Sequence, residues 1–260
     1  MVAIVTGSGG GGCGRAIAQR LARDGAVIVV SDIDEAGGAE TVRLVERAGG
    51  RATFCRADVR DDAQVQHLVQ WTTRTVGPLS ILINNASAPH PTEDGIAGWM
   101  NSIATDFLGA LSATRYAIDA MRGTGGGSIV NISSISSIWH GRTTDGGFPG
   151  YDIAKAALLR MTTALAPMVM NDNIRVNVLA PGWIATDGPR QYWESLTPAE
   201  RASRGVPATL LTTDQIAGVV SRLALDPALN GRLVIWWSDD KPRLVRWGDR
   251  GYREFDEFSI

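Results

Sequence analysis

Tyr151 and Lys155 stand four residues apart in the run YDIAK, and side chains at that spacing share one face of a helix. An unperturbed phenol, with a pKa of about 10, is mostly protonated at neutral pH. An ammonium about 4 Å away is worth up to ~4 kcal/mol at an effective dielectric of ~20. That field would pull the phenol toward neutrality and let it give a proton to an oxygen or take one from it. A serine hydroxyl could bind the same oxygen, and the run Ile132–Ser137 offers Ser133, Ser134, Ser136 and Ser137.

Far ahead of this pair lies TGSGGGGCG, Thr6 to Gly14. The apolar run Val2 to Val5 reads as a buried strand, and Ile17, Ala18, Leu21 and Ala22 recur at helical spacing. The glycines therefore fall at a strand-to-helix junction, where free N–H groups and the helix dipole favour a phosphate. Glycine allows the tight turn and the close approach of backbone to ligand. A second strand, Ala26 to Ser31, ends at Asp32, 18 residues beyond Gly14. That is near the spacing expected for a carboxylate on an adenosine ribose 2′-hydroxyl. Such a carboxylate repels a 2′-phosphate, so NAD is expected over NADP.

The elements that must position these groups alternate along the chain. Strands are expected at Ala52 to Arg56, Leu79 to Ile83, Ser128 to Ile132, Ile174 to Leu179 and, last, Leu233 to Trp237. Helices are expected around Val65 to Val69, stopped by Gly77-Pro78, then at Met100 to Met121, from Tyr151 past Leu165, and at Ile216 to Leu225. Alternation of this kind implies an α/β fold, a doubly wound Rossmann-type parallel sheet in one domain. A chain of 260 residues with net charge −2 can bury one large core and implies no basic face for nucleic acid. No apolar run reaches the ~18 residues of a membrane span, and a strand opening at Val2 leaves no room for a signal peptide. Cys13 and Cys55 are too few for a disulfide framework and are expected as free thiols in a reducing cytoplasm. Cys13, inside the turn, could have its pKa lowered by the helix N-terminus. No cluster has metal-ligand spacing.

Six landmarks fall in one order: TGSGGGGCG, Asp58-Val59, NNAS at Asn84 to Ser87, IVNISS at Ile129 to Ser134, YDIAK, and PGWIAT at Pro181 to Thr186. In this the chain resembles the single-domain short-chain dehydrogenase/reductase family over about residues 1–235. The resemblance implies cofactor contacts at Gly7, Gly12, Gly14, Asp32, Asp58, Val59, Asn85, Ala86, Pro181, Gly182, Ile184 and Thr186, with Asp58 and Val59 at the adenine. Ile184 and Thr186 would lie at the nicotinamide carboxamide, and Lys155 would hold the nicotinamide ribose. It also implies Tyr151 as acid/base and Ser134 as the donor to the substrate oxygen.

The chain departs from the family pattern in several places. The glycine turn is one residue longer, Cys13 replaces the usual isoleucine, and Ser87 replaces a glycine. Ser134 and Tyr151 are 17 residues apart, wider than usual, and the excess falls in HGRTTDGGFPG. Asp106 stands where the family has a catalytic asparagine that links the lysine to solvent; it is expected to carry that relay.

Residues 1–238 are thus expected to form the NAD-binding domain, with about 187–206 as a lid. Tyr192 and Trp193 on the lid either face an apolar, cyclic or aromatic substrate or pack against the body. His90, His140 and Trp139 flank the same region. The tail at 239–260, with Trp247, Tyr252, Phe255 and Phe258, is expected to pack on a neighbouring subunit or over the cleft. By resemblance the chain forms a homo-oligomer, a tetramer or dimer. The expected activity is interconversion of a small secondary alcohol and its ketone. The alternatives are non-redox, dehalogenase-like chemistry on the same fold and a non-catalytic NAD(H) sensor.

Overall fold

A computed structural model describes residues 1–89, 96–139 and 148–248. Seven parallel strands form the sheet: β1 (Val2–Thr6), β2 (Val27–Asp32), β3 (Arg51–Arg56), β4 (Leu79–Asn84), β5 (Gly127–Ile132), β6 (Ile174–Pro181) and β7 (Leu233–Trp236). An eighth, β8 (Arg243–Leu244), pairs antiparallel with β7, so the sheet is mixed at that edge. The order is β3-β2-β1-β4-β5-β6-β7-β8. The direction of winding reverses between β1 and β4, and the groove beyond the carboxyl ends of such strands is where ligands bind in this architecture.

The central strands are apolar on both faces, as strands covered on both sides must be. On one face α1 (Cys13–Arg23) and α9 (Thr213–Leu225) bury Ile17, Leu21, Ile216 and Val220 against Val5, Ile28 and Val30. On the other, α3 (Asp62–Trp71), α5 (Gly109–Arg122) and α6 (Pro149–Met168) cover Ile4, Leu82 and Ile129. A further helix, α2 (Glu35–Arg47), is capped by Asp34 and has no counterpart among the expected elements. The expected helix at Met100 to Met121 starts earlier, as α4 (Ile96–Ser102), and passes through a π-helical stretch at Ile103–Leu108 before α5. Residues 187–206 contain two short helices, α7 (Asp187–Glu194) and α8 (Pro198–Arg204).

Part of the tail adds to the body. β8 extends the sheet, and the Asp239 carboxylate accepts the N–H groups of Ala208 and Thr209 at 3.1 and 2.9 Å. Tyr252, Phe255 and Phe258 lie outside the described residues. Among the described residues no helix is long and apolar enough to cross a membrane.

Candidate active site

The glycine turn is tied to the sheet by its own backbone. Asn85 donates through Nδ2 to the carbonyls of Thr6 at 3.0 Å and Gly7 at 2.9 Å. The Thr6 hydroxyl accepts the Asn85 and Ala86 N–H groups. Gly7 adopts φ +63°, and a Cβ there would stand 2.6 Å from Ala86 Cα. Gly14 packs onto the Gly7 carbonyl so closely that any side chain would overlap it. Gly10 and Gly11 are exposed; Gly10 faces open space, and a Cβ on Gly11 would meet only the end of Arg15, at 3.8 Å. Gly12 caps α1 with no side-chain partner for the helix N–H groups. The turn thus divides into glycines that pack, at 7 and 14, and glycines that leave a groove at a helix N-terminus, where a pyrophosphate fits.

Asp32 closes one end of this groove. Its Oδ2 accepts the Gly9 N–H at 2.7 Å and its Oδ1 the Asp34 N–H at 3.0 Å. Each oxygen keeps a lone pair for a ribose hydroxyl. Arg15 reaches back from α1 to the Gly9 carbonyl and to Thr41 Oγ1, fixing the lengthened turn on α2. Further along, the Asp58 carboxylate is bound by Arg60, with Nη2 to Oδ2 at 2.6 Å. That hydrogen bond is the main cause holding Asp58 below the usual carboxylate range. Val59 is buried against Gly109.

Cys13 corrects one expectation. Its thiol is pushed up to about 11, because burial against the α1–sheet core outweighs the stabilising backbone N–H. Burial raises Cys55 as well.

Tyr151 and Lys155 do share a face of α6, and the Lys155 Nζ lies 5.2 Å from the centre of the Tyr151 ring. Two contacts fix the ammonium. It donates to the Ile132 carbonyl at the end of β5 at 3.0 Å, and it pairs with Asp106 Oδ1 at 2.9 Å. The π-helical stretch is what turns Asp106 inward to meet it, in keeping with the placing of such irregularities at functional sites. Asp106 therefore touches Lys155 directly. Its carboxylate also takes the Ser87 hydroxyl on Oδ1 at 2.5 Å and the Ala88 N–H on Oδ2 at 2.9 Å. From the sequence Ser87 is only a departure from the family pattern, like Asp106, and no role is read for it there.

The expected fall in the Tyr151 pKa does not occur in the protein alone. Burial raises it, Lys155 lowers it, and Asp106 raises it again; the Ser134 hydrogen bond lowers it, and the net effect is upward. Lys155 is also raised: desolvation opposes its charge, but Asp106 and Tyr151 together favour it.

Of the four serines, Ser134 is the one bonded to Tyr151. Ser133 donates to the Lys155 carbonyl at 2.8 Å, Ser137 to the Ser134 carbonyl, and Ser136 to Ser134 Oγ at 3.1 Å.

Tyr151 and Ser134 open onto a cleft of about 800 Å³ that also touches Ser87, Phe148, Trp183, Ile184, Thr186 and Tyr192. Thr186 reaches over the glycine turn, with Cγ2 3.5 Å from where a Gly12 Cβ would be. Pro181 ends β6, and the Gly182 N–H donates to the Trp236 carbonyl at 2.7 Å. Gly182 is pressed so near Ser238 that a Cβ would lie 2.6 Å from its hydroxyl. The lid aromatics divide between the two roles left open. Tyr192 stacks on Trp183 at 5.9 Å and lines the cleft. Trp193 donates to the Pro207 carbonyl and lies under Arg201, packing on the lid itself. Trp139 lines the cleft and stacks on Trp237 at 5.3 Å. His90 and His140 lie outside the described residues.

Glycine groove, Asp32, Lys155, Ile184 and Thr186 thus follow one another along the carboxyl edge of the sheet, an arrangement that fits a nicotinamide dinucleotide. Residues 1–196 match the short chain dehydrogenase family. A cis-4-hydroxycyclohexanecarboxylate dehydrogenase of Sinomonas cyclohexanicum is 32% identical over 87% of this chain and 90% of its own length. A 2,5-dichloro-2,5-cyclohexadiene-1,4-diol dehydrogenase of Sphingobium indicum is 34% identical over 71% and 73%. The crystal structure of a 7α-hydroxysteroid dehydrogenase with NADH and 7-oxo glycochenodeoxycholic acid superposes with a TM-score of 0.78 at 27% identity, covering 91% of this chain and 92% of that one. The family match spans the glycine turn and YDIAK alike, and the chain belongs to the short-chain dehydrogenase family, whose oxidoreductases use NAD(P)(H).

Proposed function

We propose that the protein is an NAD(H)-dependent oxidoreductase that interconverts a cyclic secondary alcohol and its ketone. The carrying observation is Tyr151 in the cleft, hydrogen-bonded to Ser134 and backed by the ammonium of Lys155. A bound nicotinamide supplies or accepts the hydride. Everything else falls to the chain's own groups.

Ser134 donates to the substrate oxygen and holds it beside the Tyr151 hydroxyl. In reduction Tyr151 gives its proton to that oxygen; in oxidation it takes the proton away. Lys155 favours the phenolate, and the positive charge of an oxidised nicotinamide acts in the same direction. Gly10 to Gly12 with the first turn of α1 hold the pyrophosphate, Asp58 and Val59 the adenine, and Ile184 and Thr186 the carboxamide. Asp32 supports NAD over NADP. Asp106 Oδ1 joins Lys155 to Ser87 at the cleft wall, a route by which protons can pass between the lysine and the cleft. The Trp183–Tyr192 wall suits a ring-shaped apolar substrate, and the two dehydrogenases above are named for cyclic substrates. The protein is expected to be cytoplasmic, and to be a homotetramer, whose mass light scattering checks.

Paired titrations with NADH and NADPH, followed by a screen of cyclic alcohols with the wild type and Tyr151→Phe, test this reading. Tighter NADH binding, turnover in the wild type and a loss of at least ~10²-fold in Tyr151→Phe with NADH binding kept are expected. Turnover that survives in Tyr151→Phe would overturn it. Binding without turnover of any alcohol would favour a sensor.

A further inference from the structure

The carboxylate behind the catalytic pair is buried and held from three sides. Asp106 has 0% of its side chain exposed and Lys155 has 3%. Oδ1 takes Lys155 Nζ and the Ser87 hydroxyl, and Oδ2 takes the Ala88 N–H. Three donors thus converge on its two oxygens in a buried site, a charge-assisted arrangement that fixes the carboxylate against the ammonium. The donors come from α6 and from the chain leaving β4.

The charged groups bearing on Tyr151 are Lys155, Asp106 and Asp152, in that order of effect. Those bearing on Lys155 are Asp106 and Tyr151. The neighbouring α4, the π-helical stretch apart from Asp106, and the turn Ile135–Ile138 contribute no ionisable side chain. Lys155 is thus the one cation acting on the phenol among the described residues, and an anion in direct contact opposes it.

We propose that Asp106, clamped by Ser87 and Ala88, is a counterion that withdraws the charge of Lys155 from Tyr151. The site then keeps its tyrosine protonated across neutral pH and works there as a general acid toward a carbonyl. In that step the carbonyl carbon gains the hydride of a reduced nicotinamide, its oxygen takes the Tyr151 proton, and the phenolate left behind is reprotonated from the cleft. Asp106 and Ser87 are positioning residues, since they act through Lys155. The chemistry rests on the oxidoreductase reading; the titration of Tyr151 does not.

The test is the near-ultraviolet absorbance of tyrosinate against pH, with circular dichroism confirming a folded chain. Subtracting the Tyr151→Phe curve from the wild type isolates Tyr151. Its midpoint is expected above about 10, the unperturbed value. In an Asp106→Asn background the same subtraction should give a midpoint at least about one unit lower, a tenfold gain in tyrosinate at fixed pH. Ser87→Ala keeps the carboxylate charge and should hold the midpoint within about 0.3 units. The rising limb of kcat/KM for alcohol oxidation should move with these midpoints, while plateau height reads the proton route separately. A wild-type midpoint below the unperturbed value, an unmoved Asp106→Asn midpoint, or an equal fall in Ser87→Ala would each overturn the counterion. The wild-type subtraction decides even if Asp106→Asn fails to fold. Midpoints as stated with no turnover of any alcohol would sink the oxidoreductase reading and leave the counterion standing.

Discussion

Replacing Gly14 by alanine should break the fold locally, whereas the same change at Gly10 should break only binding. A Cβ at position 14 would stand 2.6 Å from Asn85 Nδ2 and nearer still to the Gly7 carbonyl oxygen. Carbon and oxygen meet comfortably at about 3.3–3.6 Å, so α1 or the turn must give way by roughly 1 Å. That movement strains the two Asn85 hydrogen bonds to Thr6 and Gly7. Overpacking costs about 1–3 kcal/mol, and each lost hydrogen bond adds about 1 kcal/mol. Alanine's better helix propensity returns about 1 kcal/mol. The sum is a loss of about 2–4 kcal/mol from a domain whose stability is typically about 5–15 kcal/mol. At Gly10 a Cβ meets nothing within 4 Å, so stability should stay within about 0.5 kcal/mol. The added methyl still stands on the open side of the groove and should weaken NADH binding by about tenfold or more, ~1.4 kcal/mol. Urea unfolding followed by tryptophan fluorescence, paired with NADH titration, reads both quantities. If Gly14→Ala is as stable as the wild type, or if the two variants lose equal stability, the division into packing and ligand glycines is wrong.

Two further outcomes follow from the same groove. Asp32→Ala removes the carboxylate at the ribose end and should improve NADPH binding relative to NADH at least tenfold, measured by paired titration; an unchanged ratio would mean that Asp32 does not choose the cofactor. The Cys13 thiol, raised to about 11 by burial, should be roughly 10⁻³ thiolate at pH 8. It should react with a thiol reagent far more slowly in the folded chain than in urea, and rapid modification of the native protein would contradict the burial that raises it.

Local features were legible because the sequence carries them whole. The glycine turn, Asp32 and YDIAK need only their own spacing and the strand or helix beside them. Features that depend on what a side chain meets across space were not. Spacing placed Lys155 next to Tyr151 but was silent on burial and on Asp106, so the direction of the Tyr151 pKa came out reversed. The same blindness to burial misjudged Cys13. Spacing alone does not choose among four neighbouring serines; the family resemblance picks Ser134, and the fold sends Ser133 to the Lys155 carbonyl and brings Ser134 to Tyr151. Helix α2 was hidden by Gly37 and Gly38, which weaken a helical pattern; Gly38 is there because the Phe54 ring presses on it. Strand β8 is two exposed residues long and carries no pattern to read. Ser87 had a signal, since its departure from the family pattern accompanies that of Asp106. Only the π-helical stretch shows that the two side chains meet.

The site is positioned from below as well as from behind. Asn84, at the end of β4, donates to Thr114 Oγ1 on α5 at 2.9 Å and to Asn131 Oδ1 on β5 at 2.8 Å. Asn131 in turn donates to Thr162 Oγ1 on α6 at 2.9 Å. All four residues are buried. Buried amides add little net stability compared with apolar packing and are costly when a partner is lost. What this chain of bonds supplies is register. It joins two strands to two helices through directional contacts, and Thr162 lies seven residues beyond Lys155 on the same helix. An apolar core would let α6 rotate or slide by a fraction of an ångström at small cost. Lys155 and Thr162, seven residues apart, share the face of α6 turned toward β5, so a rotation of the helix must strain the Asn131–Thr162 and Lys155–Ile132 bonds together. The ammonium is thereby held from the sheet, with Asp106 closing the remaining side. Tyr151, one turn earlier, takes its place over the cleft from that same helix, and the Ser134 hydrogen bond from the segment after β5 completes the orientation of the phenol.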